Sequence, residues 1–236
     1  MRKILVIAIK ELSSYFKSPI AYIVLTITIT VFNIFFFMII EQNREATLRD
    51  VFKVMEFMFV FIIPILTMKI LSEEKLIGTM EFLMTTPTSN TAIVLGKYGG
   101  SLLFFTIILL ISSVYYFILE YFAHPDRMAI LVGYLGIWLE GAFFIAVGLF
   151  TSSWTRNQIV AAMSSYVILF LCYFSISFIK YFSGLLQEVI HYVSVWSHTE
   201  RLFSGLIVTS DLVYFLSGAF FFILLTRLSI ENRLWR

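Results

Sequence analysis

Residues 20–40 read IAYIVLTITITVFNIFFFMII, an apolar run that contains no charged side chain. A helix that crosses the hydrocarbon core of a membrane needs about 20 such residues. The whole chain of 236 residues has the same character, since 60% of it is hydrophobic and only 14% is charged, whereas a soluble domain is about 25% charged. This composition excludes an ordinary soluble enzyme, a disordered protein and a nucleic-acid-binding protein with a basic face. It indicates a polytopic membrane protein.

Five further apolar segments follow the first, and each is long enough for a spanning helix. The six segments cover about 20–40, 51–71, 101–122, 129–152, 158–179 and 212–230. Continuous apolar runs favour helices, because a membrane barrel alternates apolar and polar residues along strands of about ten residues. The sequence therefore predicts an all-α fold, with a single transmembrane domain over residues 1–236 that contains six transmembrane helices.

The positive charges lie mostly on one side of the predicted spans. An even number of spans places both termini on the same side, which then carries eleven of the 17 Lys and Arg residues, against six on the other side. Loops rich in Lys and Arg stay in the cytoplasm. We therefore expect a multi-pass protein of the cytoplasmic (inner) membrane with both termini in the cytoplasm.

Residues 1–18 have the pattern of an interfacial amphipathic helix. Its polar face carries Lys3, Lys10, Ser14 and Lys17, and its apolar stripe consists of Ile4, Leu5, Ala8, Ile9, Leu12, Tyr15 and Phe16. A basic amphipathic helix beside a span lies along the membrane surface, where its cations contact lipid headgroups. Pro19 is expected to end this helix. The alternative is a cytoplasmic extension of the first span with no role beyond topology.

The main polar stretch on the predicted cytoplasmic side is the loop of residues 72–97. Within it, Met80, Leu83 and Met84 are spaced i, i+3 and i+4 between Gly78 and Pro87, which predicts a short helix with one apolar face. A helix this short is marginal by itself and needs a surface on which to dock. The loop is therefore predicted to offer methionines and a carboxylate to a partner. The alternative is a merely solvated loop.

The same loop combines two adjacent acidic residues, a Gly-Thr pair, a proline and a later Leu-Gly-Lys. These features resemble the ABC-2 type permeases, the membrane subunits of ABC exporters. The residues that carry the resemblance, between the second and third spans, are Glu73, Glu74, Gly78, Thr79, Glu81, Leu83, Pro87, Gly96 and Lys97. It implies an ABC-2 (type V exporter-like) permease fold. In lacking a large extracellular domain, the chain is similar to the permeases of gliding-motility and copper-site-assembly systems.

That resemblance also implies a function. The chain would be a permease subunit that couples ATP hydrolysis by two copies of a cytoplasmic ABC ATPase to export or movement of a substrate, beside a second permease copy in a homodimer or beside a related permease. The partner ATPase would bind ATP and Mg, and this chain would bind no cofactor. The residues implied in ATPase coupling are Glu73, Glu74, Gly78, Thr79, Met80, Glu81, Leu83, Met84 and Pro87.

Motifs of a catalytic centre are missing from the sequence. It has no Gly-x-x-x-x-Gly-Lys-[Ser/Thr] phosphate loop, no His-Glu-x-x-His zinc motif and no Gly-x-Ser-x-Gly nucleophile elbow. His191 and His198 are seven residues apart, but no acidic or sulfur ligand is obviously placed with them. We therefore expect no enzyme activity, no catalytic residue and no metal site in this chain.

Charged residues inside two predicted spans mark a candidate intramembrane polar site. Glu140 lies near the middle of the fourth span, and Lys53 and Glu56 lie three residues apart in the second. An intramembrane carboxylate is costly and is a functional hypothesis by default. Glu140 is expected to be protonated, to pair with Lys53 or Arg127, to face a substrate path, or to form a structural hydrogen bond between helices. Lys53 and Glu56 are expected to pair with each other.

Residues 183–210, between the fifth and sixth spans, are too polar to cross the membrane but contain two helical stripes. The stripes consist of Leu185, Leu186, Val189, Ile190 and Val193, and of Leu202, Phe203, Leu206 and Ile207. We expect an outer re-entrant or amphipathic segment that closes the outer end of a transport path. The alternative is an ordinary surface helix.

Three other functions stay open on the sequence alone. An ABC-type complex could transmit mechanical force to an extracytoplasmic partner without transport, which a narrow interface without a continuous cavity would favour. A secondary transporter would show paired charges or broken helices near mid-membrane, for which Pro64 and Glu140 are the hints. An intramembrane enzyme is disfavoured by the missing catalytic motifs.

Overall fold

The computed structural model describes residues 2–43, 45–80 and 88–231. Within these ranges the chain consists of helices joined by short connections and contains no strand. Six of its helical segments are long and apolar enough to cross a membrane, and the chain is a multi-pass membrane protein with an all-α fold.

Eleven α-helices can be traced through the described ranges. They are α1 (Arg2–Lys17), α2 (Pro19–Asn43), α3 (Arg49–Thr67), α4 (Lys69–Ile77), α5 (Asn90–Ser112), α6 (Val114–Phe122), α7 (Arg127–Trp154), α8 (Gln158–Phe178), α9 (Leu185–Val193), α10 (Val195–Phe203) and α11 (Thr209–Glu231). A 3-10 turn, Ile179–Tyr181, follows α8. The six spans are α2, α3 with α4, α5 with α6, α7, α8 with the 3-10 turn, and α11. We call the end of the bundle that carries α1 the α1 face, and the opposite end the α10 face.

The third span begins about eleven residues earlier than predicted. Ser89 caps α5, its hydroxyl oxygen accepting from the Ala92 amide at 3.3 Å, and the helix then runs without interruption through Lys97. The sequence predicts that Ser89 or Asn90 caps a helix that leads through Lys97 into the third span, and the structure confirms Ser89 as the cap. The structure keeps this lysine buried inside a helix, because the protein itself supplies its counterions. The other five predicted ranges agree with the observed helices to within about six residues.

The second and fourth spans run parallel in a constant register. A β-carbon on Gly133 would overlap the Phe52 ring, and one on Gly148 would overlap the Thr67 side chain. The Leu71 amide donates to the Ser152 hydroxyl oxygen at 3.0 Å. In all three contacts the partners are separated by 81 positions, so α7 lies along the whole length of α3 and α4. This central pair forms the core on which the other spans pack.

The second span is interrupted at Met68, between α3 and α4. Pro64 lies one turn earlier and lacks an amide hydrogen, which weakens the helix locally. Ser152 of α7 bridges the interruption, because its hydroxyl oxygen accepts from the Leu71 and Ser72 amides at 3.0 Å and its hydrogen goes to the Met68 carbonyl at 3.0 Å. One buried hydroxyl therefore satisfies three backbone groups of a neighbouring span.

We expect Ser152→Ala to destabilise the fold by about 2 kcal/mol, because it removes an acceptor that the buried Leu71 and Ser72 amides share. The measurement is the free energy of unfolding in detergent micelles. Ser153→Ala is the matched control, since the Ser153 hydroxyl is equally buried but donates within its own helix, to the Phe150 carbonyl. Equal effects of the two substitutions would contradict the bridging role of Ser152.

The segment between the fifth and sixth spans folds as two short helices with opposite environments. α10 is buried against the fourth span, where Leu202 packs beside Gly136. α9 has no buried residue, and its stripe from Leu185 to Val193 is exposed. Of the second predicted stripe, Leu202 and Phe203 are buried, whereas Leu206 and Ile207 are exposed. The segment therefore docks on the spans through α10 and leaves α9 outside the protein core.

Candidate functional site

Three helices meet at Lys97 on the α1 face. The Lys97 ammonium lies 3.1 Å from the Glu11 carboxylate of α1 and 2.8 Å from the Glu74 carboxylate of α4. It also donates to the Ile70 carbonyl at 2.9 Å. The lysine side chain is only 4% exposed. We call Glu11, Glu74 and Lys97 the inner clasp, because they tie α1, the end of the second span and the start of the third span together.

Glycines of α5 let α1 approach it closely beside this clasp. A β-carbon at Gly100 would lie 2.6 Å from the Glu11 β-carbon and 2.7 Å from the Ala8 carbonyl, and one at Gly96 would lie 2.6 Å from Ile7. Tyr15 extends the contact, because its hydroxyl reaches the Leu66 carbonyl at 3.2 Å. The helix α1 is therefore fixed to the spans and is more than a flexible extension.

The predicted apolar stripe of α1 divides into two rows in the structure. Ala8 and Tyr15 are buried against the spans, with Ile4 and Leu12 half-buried beside them. Leu5, Ile9 and Phe16 are exposed and remain available to lipid. The α1 helix ends at Lys17 and α2 starts at Pro19, as the sequence predicted.

Glu11 has an unusual electrostatic environment. Burial raises the pKa of its carboxyl group above the ordinary value, while the Lys97 ammonium opposes this rise and the Glu74 carboxylate adds to it. A carboxyl whose folded-state pKa is raised favours the folded state most in acidic solution. That contribution is lost as the pH rises through the raised pKa. Two effects therefore oppose each other in the inner clasp: attraction to Lys97 stabilises the Glu11 carboxylate, and burial destabilises it.

A cleft of about 380 Å³ opens beside the inner clasp. Its wall comes from α1, the start of α2, the end of the second span and the turn after α4. Three acidic and three basic side chains reach it, namely Glu11, Glu73, Glu74, Lys17, Lys69 and Lys97. The cleft therefore presents charges of both signs next to the predicted coupling segment.

The described part of the coupling segment begins at a sharp turn. Gly78 has φ of +80°, a left-handed conformation that ends α4 and that other residues adopt only with strain. Thr79 follows it on the surface, whereas Met80 is 5% exposed and packs with Leu71 and Val94. Glu81, Leu83, Met84 and Pro87 lie outside the described residues. Met80 therefore anchors the segment to the spans and does not present its side chain at a surface.

The candidate intramembrane residues are arranged differently from the prediction. Lys53 pairs with Asp50 at 2.8 Å, and Glu56 accepts a hydrogen bond from the Thr199 hydroxyl at 2.7 Å. The predicted Lys53–Glu56 pair is therefore wrong, because Asp50 offers the lysine a more accessible carboxylate one turn away. Arg127 likewise pairs with Glu120, so neither predicted cation contacts Glu140.

A second buried ion cluster lies at the α10 face. Asp211, at the start of α11, is fully buried and receives a hydrogen bond from Arg201 Nε at 2.9 Å and a second from Arg201 Nη2. His198 Nδ1 lies 2.6 Å from the same carboxylate, and its Nε2 lies 3.0 Å from the Tyr192 carbonyl. The Arg201 Nη2 atom also lies 3.4 Å from His198 Nδ1, so the imidazole and the guanidinium meet at the same carboxylate. We call Asp211, Arg201 and His198 the outer clasp.

Sequence reasoning missed several residues of these sites. Glu11 was not among the predicted site residues, and its partner Lys97 lies 86 positions away. The exposed Leu76 and Ile77, at 64% and 66%, lie directly before the Gly78 turn and extend its accessible apolar surface. Helical spacing within 72–87 could have suggested them, whereas the pairing of Glu11 has no local signal.

Six membrane-crossing helices, an all-helical fold and a fixed surface helix define a multi-pass membrane protein of the permease type. The chain belongs to the ABC-2 family transporter proteins, whose family profile matches residues 5–228. A comparison with curated proteins gives no match. The family places this chain among membrane subunits and distinguishes it from the ATPase itself.

Proposed function

We propose that this chain is the membrane-spanning permease subunit of an ABC transporter and that a separate ATPase docks at its α1 face. The observation that carries the proposal is the inner clasp beside the Gly78 turn. Lys97 joins the helices on both sides of the connection between the second and third spans. A push on that connection therefore acts on three helices together.

The proposed mechanism needs a rigid path from the ATPase to the spans. Closure of two ATP-bound subunits would press on residues 78–87, and α4 would carry the movement into the second span. The second and fourth spans share one register along their length, so movement of α4 also displaces α7. Close-packed interiors transmit such strain because they contain few voids.

We further propose the arrangement of the complex. The α1 face would be cytoplasmic, with both termini on that side of the cytoplasmic membrane, in agreement with the excess of Lys and Arg there. Two ATPase copies would work with two permease chains, identical or related. ATP and Mg would belong to the ATPase subunits, and the complex would export or move a substrate.

Purification through a tag on this chain tests the proposal directly. We expect a protein with the ATPase phosphate loop to be recovered in stoichiometric amount. Recovery of the intact permease without any such ATPase would overturn the proposal.

A paired substitution then tests the docking position. Glu81→Lys with Met84→Asp should reduce ATPase recovery at least tenfold, because it reverses a charge and places a carboxylate on the predicted apolar face. The same exchange on the exposed helix α9, Glu188→Lys with Val189→Asp, is the matched control and should leave recovery unchanged. Equal recovery from the two variants would show that residues 78–87 do not form the docking site.

A further inference from the structure

Glu140 is the most isolated carboxyl group in the described part of the chain. It lies at the middle of α7, thirteen residues from Arg127 and fourteen from Trp154. Its side chain is fully buried, and neither carboxyl oxygen has a hydrogen-bond partner. An ionised carboxylate without a partner and away from water is far more costly than a neutral carboxylic acid. Glu140 therefore has to carry a proton.

A second buried carboxyl group lies beside it on the neighbouring span. The constant register of α3 and α7 puts position 59 opposite Glu140, so Glu56 lies three residues, about 4.5 Å along the axis, closer to the α10 face. Glu56 is 1% exposed. Glu56 and Tyr173 of α8 are both close enough for their charges to interact with that of Glu140. Two anions this close in an apolar interior repel each other, which favours at least one bound proton.

The hydrogen bond from Thr199 lets Glu56 exist in either charge state. The Thr199 hydroxyl donates to Glu56 at 2.7 Å, an arrangement that an ionised carboxylate can accept. A protonated Glu56 would donate to that hydroxyl oxygen instead, and the hydroxyl hydrogen would turn to the Val195 carbonyl at 3.2 Å. Both arrangements are satisfied without movement of the backbone. Glu56 can therefore gain and lose a proton, whereas Glu140 has no group that would stabilise its anion.

We propose that Glu140 and Glu56 form a proton-binding site inside the helical bundle. Glu140 holds its proton at neutral pH, and Glu56 exchanges its proton through the α10 face. The ionisable groups around the pair are Tyr173 of α8, Glu200 of α10 and Lys53 of α3. Thr199 lies in α10, so the charge of Glu56 is linked to the docking of α10 on the spans.

Infrared spectroscopy of the full complex in lipid vesicles tests the assignment, because a protonated carboxyl has a carbonyl band that a carboxylate lacks. At neutral pH we expect a carboxylic-acid band from Glu140 at the high frequency typical of an acid without hydrogen bonds. Glu140→Gln should remove that band, and Glu140→Asp should restore a shifted one. The exposed Glu188→Gln of α9 is the control and should leave the spectrum unchanged.

Glu56 has its own signature in the same experiment. A second carboxylic-acid band, at lower frequency because Thr199 bonds to the acid, should weaken as the pH is raised from neutral into the alkaline range and should be missing from Glu56→Gln. Absence of a carboxylic-acid band from the unmodified protein at neutral pH would overturn the proposal, and this result needs no variant to fold. A high-frequency band that survives at neutral pH in Glu140→Gln would overturn it as well.

Discussion

Replacement of Lys97 by Met is expected to destabilise the protein by about 4 kcal/mol and to abolish stimulation of the ATPase. Methionine fills nearly the same volume, so the loss is electrostatic. Without the ammonium, Glu11 and Glu74 face each other as partly buried anions, and removal of one partner from a buried ion pair costs roughly 3–5 kcal/mol. The Ile70 carbonyl also loses its donor. The measurements are the free energy of unfolding in detergent and the ATPase rate of the complex.

An inner clasp without charges tests whether the loss of stability in Lys97→Met comes from the two uncompensated carboxylates. Lys97→Met combined with Glu11→Gln and Glu74→Gln should recover most of the lost stability, because no uncompensated charge remains. Lys10→Met is the control, since Lys10 is an exposed lysine of α1, next to Glu11, and surface charges contribute about 0–1 kcal/mol. A triple variant as unstable as the single variant would contradict the electrostatic explanation.

The second large effect is expected at the opposite end of the bundle. Asp211→Asn should destabilise the fold by about 3 kcal/mol, because the fully buried carboxylate is the counterion of Arg201 and a hydrogen-bond partner of His198. The effect should be smaller than at Lys97, since the Arg201 side chain is 39% exposed and water can solvate it. The free energy of unfolding measures it, and protease sensitivity of residues 185–208 should increase.

Asp50→Asn provides the comparison for the outer clasp. Asp50 also pairs with a cation, Lys53, but its side chain is 39% exposed. Its loss should therefore change stability by less than about 1 kcal/mol. If Asp50→Asn and Asp211→Asn had equal effects, the burial of Asp211 would not determine the strength of the outer clasp.

The spans could be predicted from the sequence because each is a local property of 20 or so consecutive residues. Composition is sufficient to place residues 20–40 in a membrane, and Pro19 is sufficient to separate α1 from α2. The start of α5 could be predicted as well, because Ser89 is a local helix cap. The burial of Lys97 could not, because it depends on two carboxylates from distant helices. The break at Met68 is similar, since Ser152 stabilises it from another span.

In the candidate site, too, the sequence indicates the residues but not their contacts with distant helices. The loop of residues 72–97 could be recognised from a short motif, and Glu140 from its charge in an apolar run. Whether Lys53 pairs with Glu56 or with Asp50 depends on side-chain directions that spacing alone leaves open, and Thr199 reaches Glu56 from 143 positions away. Local patterns therefore identify which residues matter, and tertiary packing decides their partners.

The separation of Glu11 and Lys97 also has a consequence for biosynthesis. The two residues are 86 positions apart, so at roughly 5–20 residues per second α1 leaves the ribosome about 4–17 s before its docking partner exists. During that interval the row of Ala8 and Tyr15 has no protein surface to pack against. The bilayer surface is then the apolar environment available to it. Once the third span is complete, the Ala8 and Tyr15 face of α1 would leave the lipid and pack on α5. The inner clasp can therefore form only after the chain has been synthesised as far as the third span.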